Sequence, residues 1–127
     1  MADWVLDSSA VLAVVLTEPG GDMVRPLIAD SLLSAVNLVE VATRLLDLGF
    51  PSAEIDGRLE RVRFTVVPFD EGLAVGAGQL RVQTRHLGLS LGDRACLALA
   101  QREGLPVLTA DRAWRELDVG IEVVLIR

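Results

Sequence analysis

The sequence predicts a parallel α/β fold, a sheet of about five strands covered by helices on both faces. Three observations lead there. Short apolar runs alternate with segments of helical periodicity, the pattern of a parallel sheet buried on both sides. Two of those runs, WVLD (4–7) and PVLTAD (106–111), end on an aspartate. Gly and Pro also stand where helices must stop, as Gly49 and Pro51 do, and as Gly104-Leu105-Pro106 does.

In chain order, strand 4–7 leads into a helix over about 9–17, and a second helix over about 22–30 leads into the strand LLSA (32–35). A helix over 35–48 ends at Gly49, and another over 52–62 precedes the strand FTVVPF (64–69). Helical patterns at 70–86 and 90–103 follow. The second of these is apolar or small on every side from Ala95 to Ala100, as in a helix buried all round. Strand 106–111, a short helix at 111–117 and the strand EVVLI (122–126) complete the chain. With no linker, repeat or low-complexity stretch, residues 1–127 read as one domain.

Composition narrows the function. The chain is 51% hydrophobic with a mean hydropathy of +0.44, which calls for a very apolar core or a surface covered by a partner. A net charge of −6 argues against simple phosphate tracking, since such domains are usually basic. All twelve basic residues are Arg. Without lysine, a P-loop enzyme and a phosphoaspartyl protein each lack a group they need. The glycine fingerprint of a dinucleotide fold is missing, because DSSA follows the first strand. A serine hydrolase built on Ser8 or Ser9 would depend on His86, the lone histidine, and no nucleophile-elbow motif is present. His86 instead reads as a cation near a helix C-terminus. Cys96, the lone cysteine, rules out an internal disulfide or a cysteine-based zinc site and reads as a small core residue. No apolar run is long enough to span a membrane, and Asp3 and Asp7 precede Val11–Leu16 where a signal peptide would be positive. The expected location is the cytoplasm.

Four carboxylates stand out: Asp7, Glu40, Asp93 and Asp111. Asp7 and Asp111 end strands of one parallel sheet and so meet at its carboxyl edge, where such sheets keep their chemistry. Each would also serve as the N-cap of the helix that follows. Asp93 completes a capping box with Ser90. Glu40 shares a helix face with Asn37, Arg44 and Asp47, and its local pattern favours an exposed ion pair with Arg44 at i,i+4. Crowded carboxylates repel by on the order of 4 kcal/mol per pair at 4 Å, and a divalent cation removes that penalty. Oxygen-only ligands suit Mg²⁺ or Mn²⁺, ions that serve phosphodiester hydrolysis. With the four set aside, the remaining fourteen acidic residues nearly balance the twelve Arg.

Four segments in this order, VLDSSAVLAVVLTEPGG, SAVNLVEVATRL, LSLGDRACLALA and VLTADRAW, resemble the PIN-domain ribonuclease toxins of VapBC type II toxin–antitoxin systems. The likeness covers nearly the whole chain. It implies a three-layer α/β/α sandwich with an acidic pocket for Mg²⁺ or Mn²⁺. By position, Asp7, Glu40, Asp93 and Asp111 match the family's four acidic residues, which overturns the local reading of Glu40. Ser9 and Thr109 match hydroxyl positions that support the pocket. The resemblance further implies an RNA substrate, a homodimer and a cognate antitoxin whose apolar helix lies in a groove of the early helices, with an Arg reaching the pocket. Arg94 or Arg112 is a candidate to steady the phosphate. The rival reading is a non-catalytic PIN-like domain whose acidic pocket only docks a partner's Arg.

Overall fold

A computed structural model describes all residues, 1–127. Strands β1 (Trp4–Leu6), β2 (Ser31–Ser34), β3 (Thr65–Val67), β4 (Val107–Thr109) and β5 (Val123–Leu125) form one sheet in the order β3-β2-β1-β4-β5. Every neighbouring pair is parallel. The helices are α1 (Ser8–Val15), α2 (Gly21–Val24), α3 (Ala35–Asp47), α4 (Ile55–Glu60), α5 (Glu71–Gln79), α6 (Arg81–Thr84) and α7 (Leu91–Glu103).

The period of two along each strand divides the apolar residues between two layers. Leu6, Leu33 and Leu108 pack with residues of α1, α2, α3 and α4, whereas Val5 and Val107 pack with residues of α5 and α7. The result is the three-layer α/β/α sandwich. From β1 the chain steps outward to β2 and β3, then returns past β1 to β4. Parallel crossovers are right-handed, so that reversal moves the connecting helices to the opposite face. It also places the switch point of the sheet, where open α/β sheets bind ligands, beyond the ends of β1 and β4.

The expected strands all form; four are shorter than their apolar runs, and β2 keeps four residues but starts one residue earlier. Several helices are more broken than their periodicity suggests. The 22–30 segment tightens from α2 into a 3₁₀ helix at Arg25–Asp30, with Pro26 in its first turn, because proline lacks the N–H that an α-turn needs. The 52–62 segment opens as a 3₁₀ turn at Ser52–Glu54 and ends its α-turns at Glu60. The 70–86 segment divides into α5, α6 and a 3₁₀ turn at Arg85–Leu87, while Gly72, Gly76 and Gly78 weaken its helical preference. The short helix after β4 is 3₁₀, Arg112–Glu116. Helix α7 has the expected form: Ala95 to Ala100 are all buried, and Gly104 ends it in the left-handed conformation. No helix is long and apolar enough to cross a membrane.

Candidate active site: an acidic pocket at the carboxyl edge of the sheet

Asp7 follows β1 and occupies the N-cap position of α1, yet its side chain makes no capping bond. Its carboxylate accepts from two hydroxyls instead: Ser9 Oγ at 2.7 Å and Thr109 Oγ1 at 2.8 Å, both on Oδ2. Those hydroxyls are oriented in turn by backbone donors, Ala110 N–H to Ser9 Oγ and Asp111 N–H to Thr109 Oγ1. Asp7 is only 6% exposed. Burial pushes its carboxyl up to about 6 and the charge of Asp93 adds to the rise, against the hydrogen bonds from Ser9 and Thr109. A buried carboxylate with no cap to make is poorly explained by helix capping.

Glu40 lies on the exposed side of α3. The ion pair with Arg44 does not form. Its Oε1 accepts from Ser8 Oγ at 2.6 Å and from Asn37 Nδ2 at 3.0 Å. Asn37 also donates to the carbonyl of Gly92 at 3.1 Å, joining α3 to the first turn of α7. Sequence reasoning placed Asn37 on the face of Glu40 but assigned no role to it, to Ser8 or to Gly92. The only available signals were local: Asn37 three residues before Glu40, Ser8 after Asp7, and Gly92 before Asp93.

Asp93 forms the full capping box. Its N–H donates to Ser90 Oγ, and its Oδ2 accepts from Ser90 N–H at 2.9 Å. Burial raises its carboxyl, with Glu40 and Asp111 adding charge repulsion and the Ser90 bonds opposing. Asp111 caps the 3₁₀ helix after β4, its Oδ1 accepting from Ala113 N–H at 3.0 Å. Both residues therefore do what their local sequence suggests, in a place where other acids surround them.

The convergence of these groups is visible at Cys96, buried in α7 with its thiol 3.6 Å from the carbonyl of Leu6. Burial pushes this thiol far up, and the charges of Asp7, Asp93 and Glu40 push it further. Three carboxylates from three elements thus act on one sulfur. As their side chains lie, no three acidic, His or Cys groups share one ion's coordination distance. Ser90 takes only the Oδ2 of Asp93, and Ser8 and Asn37 only the Oε1 of Glu40, so the second oxygen of each carboxylate makes no hydrogen bond. The donor set is nonetheless all oxygen, and Asp7 is a carboxyl whose charged form is disfavoured by burial first and by the charge of Asp93 in addition. Both properties fit a hard divalent ion, and Mg²⁺ keeps several waters that bridge such gaps.

Arg94 is half-buried, and its Nη1 donates to the carbonyl of Ala77 on α5 at 3.1 Å. Arg112 is exposed beside Asp111. His86 sits in the 3₁₀ turn before Gly88, at the end of its helical segment.

Layered fold and pocket together define an α/β/α domain with an oxygen-only acidic site at the switch point of its sheet. A family model described as PIN domain matches residues 4–120. A protein named Ribonuclease VapC from Mycolicibacterium smegmatis is 31% identical over 125 residues, spanning 91% of this chain and 96% of that one. The chain belongs to the PIN-domain family, in its VapC group. Solved structures of the same fold include DNA-bound VapBC from Salmonella typhimurium (TM-score 0.79, 19% identity, all of both chains). FitAcB from Neisseria gonorrhoeae superposes with a TM-score of 0.72 at 22% identity, over 97% of each chain.

Proposed function

We propose that this chain is a Mg²⁺- or Mn²⁺-dependent endoribonuclease, the toxin of a type II toxin–antitoxin pair acting in the cytoplasm. The observation that carries the reading is Asp7, a buried carboxylate fixed by two hydroxyls at the sheet's switch point, with Asp93 close enough to raise its pKa. Asp7, Glu40, Asp93 and Asp111 would hold the ion, with Ser9 and Thr109 supporting Asp7. A bound ion supplies charge neutralisation and an activated water for attack on phosphorus. The chain supplies placement. Ser9 and Thr109 hold Asp7 in one rotamer, and the Ser90 box holds Asp93 at the start of α7. The helix dipole there favours negative charge. The relative named a ribonuclease supports the choice of RNA as substrate.

Cleavage of a labelled RNA should stop in excess EDTA and return with Mn²⁺. Cleavage that persists in the chelator overturns the reading. The engagement of Asp93 and Asp111 in capping bonds favours one alternative, a non-catalytic pocket that docks a partner's Arg. Absence of cleavage together with absence of Mn²⁺ binding would select it.

The partner would be an antitoxin, as in the toxin–antitoxin complex from Klebsiella pneumoniae that has the same fold. Its seat would be a groove of about 450 Å³ where α1 ends and β2 and β3 begin, floored by Val14, Ile28 and Val62 and edged by Arg25, Arg58, Arg61 and Arg63. An apolar helix flanked by acidic side chains fits that lining. A second copy would cover the exposed Val39 and Leu46 of α3, Val75 of α5 and Val82 of α6. Sedimentation of the purified chain as a monomer would remove the homodimer.

A further inference from the structure

We propose that Asn37 is a positioning residue for Glu40, and that the bare Cα of Gly92 is the seat on which it holds the carboxylate. The proposal rests on the metal-dependent reading above.

Glu40 has a long, flexible side chain on the exposed side of α3, and the charge of Asp93 repels it. Left to itself, such a side chain would extend into water, away from the other acids. In the structure it is turned inward. Ser8 Oγ and Asn37 Nδ2 both donate to its Oε1, and Asn37 also reaches Ser8 Oγ at 3.1 Å and the Gly92 carbonyl at 3.1 Å. A carboxylate and a carbonyl only accept, so these two contacts decide which end of the Asn37 amide is nitrogen.

The amide also carries a cost at this position. Asn37 is fully buried, its Oδ1 has no hydrogen-bond partner, and Asn is a mediocre helix former. An unsatisfied buried acceptor is destabilising. What the amide achieves is a three-way link between α1, α3 and α7 that ends on the Glu40 carboxylate.

Gly92 provides an independent second observation. A Cβ built on it would overlap all three atoms of the Glu40 carboxylate group. Its backbone is ordinary helix, so conformational freedom does not call for glycine here. The missing side chain is the space into which Asn37 and Ser8 draw the carboxylate, one residue from Asp93.

The test is Mn²⁺ titration calorimetry on the full chain stripped of metal, with apo melting curves to establish folding. Asn37→Ala should weaken Mn²⁺ binding about tenfold or more. In a Glu40→Ala background the same change should cost less than about twofold, because a residue that acts only through Glu40 has nothing left to position. Gly92→Ala, which leaves Asn37 in place, should weaken binding to a similar degree, and it decides the matter if Asn37→Ala does not fold. The proposal is overturned if folded Asn37→Ala binds within about twofold of the parent, or loses as much with Glu40 as without it. If the parent itself fails to bind Mn²⁺, the metal-dependent reading falls and this proposal falls with it. A parent that binds beside an unaffected Asn37→Ala removes the positioning role alone.

Discussion

Helix α1 joins two regions of opposite character. Its first residues, Ser8 and Ser9, lie in the acidic pocket, where hydroxyls and amides hold carboxylates in defined rotamers. Its last turn, Val14 and Val15, lines a groove edged by four of the chain's twelve Arg. The net charge of −6 hides this separation. At the acidic end a buried Asp7 and a half-buried Asp93 lie near the exposed Glu40 and Asp111, and burial, with some like-charge repulsion, disfavours the charged forms of Asp7 and Asp93. At the basic end Arg61 and Arg63 reach solvent, and only Arg25 and Arg58 have modest anchors, the Val14 carbonyl at 3.4 Å and the ring of Phe50 at 4.3 Å. An acidic region and an Arg-edged groove thus share one short helix. They respond to mutation in different ways.

The largest difference should appear at Asp7. Asp7→Asn should lower RNA cleavage by more than about a hundredfold, the upper range for disturbing a metal site. Without metal the same variant should be more stable than the parent near pH 8, since it no longer buries a charge. Loss of both activity and apo stability would mean that Asp7 is an ordinary structural residue.

The same carboxyl makes the pH dependence of stability specific to the acidic end. Its folded pKa of about 6 lies above the ordinary 3.8, so the folded state holds its proton longer than the unfolded state does. That contribution is fully present below pH 3.8 and is lost as the pH rises through 6. A shift of this size corresponds to about 3 kcal/mol. Asp93 is displaced in the same direction. Urea unfolding of the metal-free chain between pH 4.5 and 8 should show stability falling, and Asp7→Asn should flatten much of that fall. Exposed Asp70 runs the other way. Bonds from Leu73 N–H and Arg102 lower its pKa, so its contribution fades only as the pH drops into the acid range. Parent and variant with equal pH slopes would contradict the burial argument.

At the basic end the expected effect is smaller and confined to binding. Arg61→Glu with Arg63→Glu should weaken antitoxin binding about tenfold, roughly 1.4 kcal/mol, and leave RNA cleavage within about twofold. Surface-immobilised titration against the purified antitoxin measures the first, and the cleavage assay the second. A drop in cleavage without antitoxin would mean that the groove serves RNA instead.

Much of this arrangement is legible in the sequence where the determinants are local. Apolar runs marked all five strands, Asp7 and Asp111 stood at strand ends, and Ser90-x-x-Asp93 announced its capping box. The partner of Glu40 was not legible. Helical periodicity offers Arg44, four residues away, whereas the carboxylate bonds to Ser8, 32 residues away. Periodicity cannot see a contact made by the crossing of α1, α3 and α7. Gly92 was opaque for the same reason, because its missing Cβ matters only once Glu40 is laid against it. The broken helices were partly legible, at Pro26, though the break before α6 has no proline to mark it.

The smallest stability effect belongs to Asp93, where two terms oppose each other. As a cap, its charge in the first turn of α7 is worth about 0.3–1 kcal/mol through the helix dipole, and Asp93→Asn forfeits that. As one of several acids, its charge is repelled by Glu40 and Asp111, and the same change removes the repulsion. The amide oxygen can still accept from Ser90 N–H, so the box is weakened rather than abolished. Without metal, then, the variant should melt at or slightly above the parent's temperature. With Mn²⁺ the two should separate. A ligand bound only by the native state stabilises it by about 2.7 kcal/mol at a hundred times its dissociation constant, and the variant should gain much less from the same Mn²⁺ concentration. Cleavage should collapse alongside. Paired melting curves, with and without Mn²⁺, read both terms in one experiment. A variant that is less stable without metal, equally stabilised by Mn²⁺ and fully active would leave Asp93 with its capping role alone.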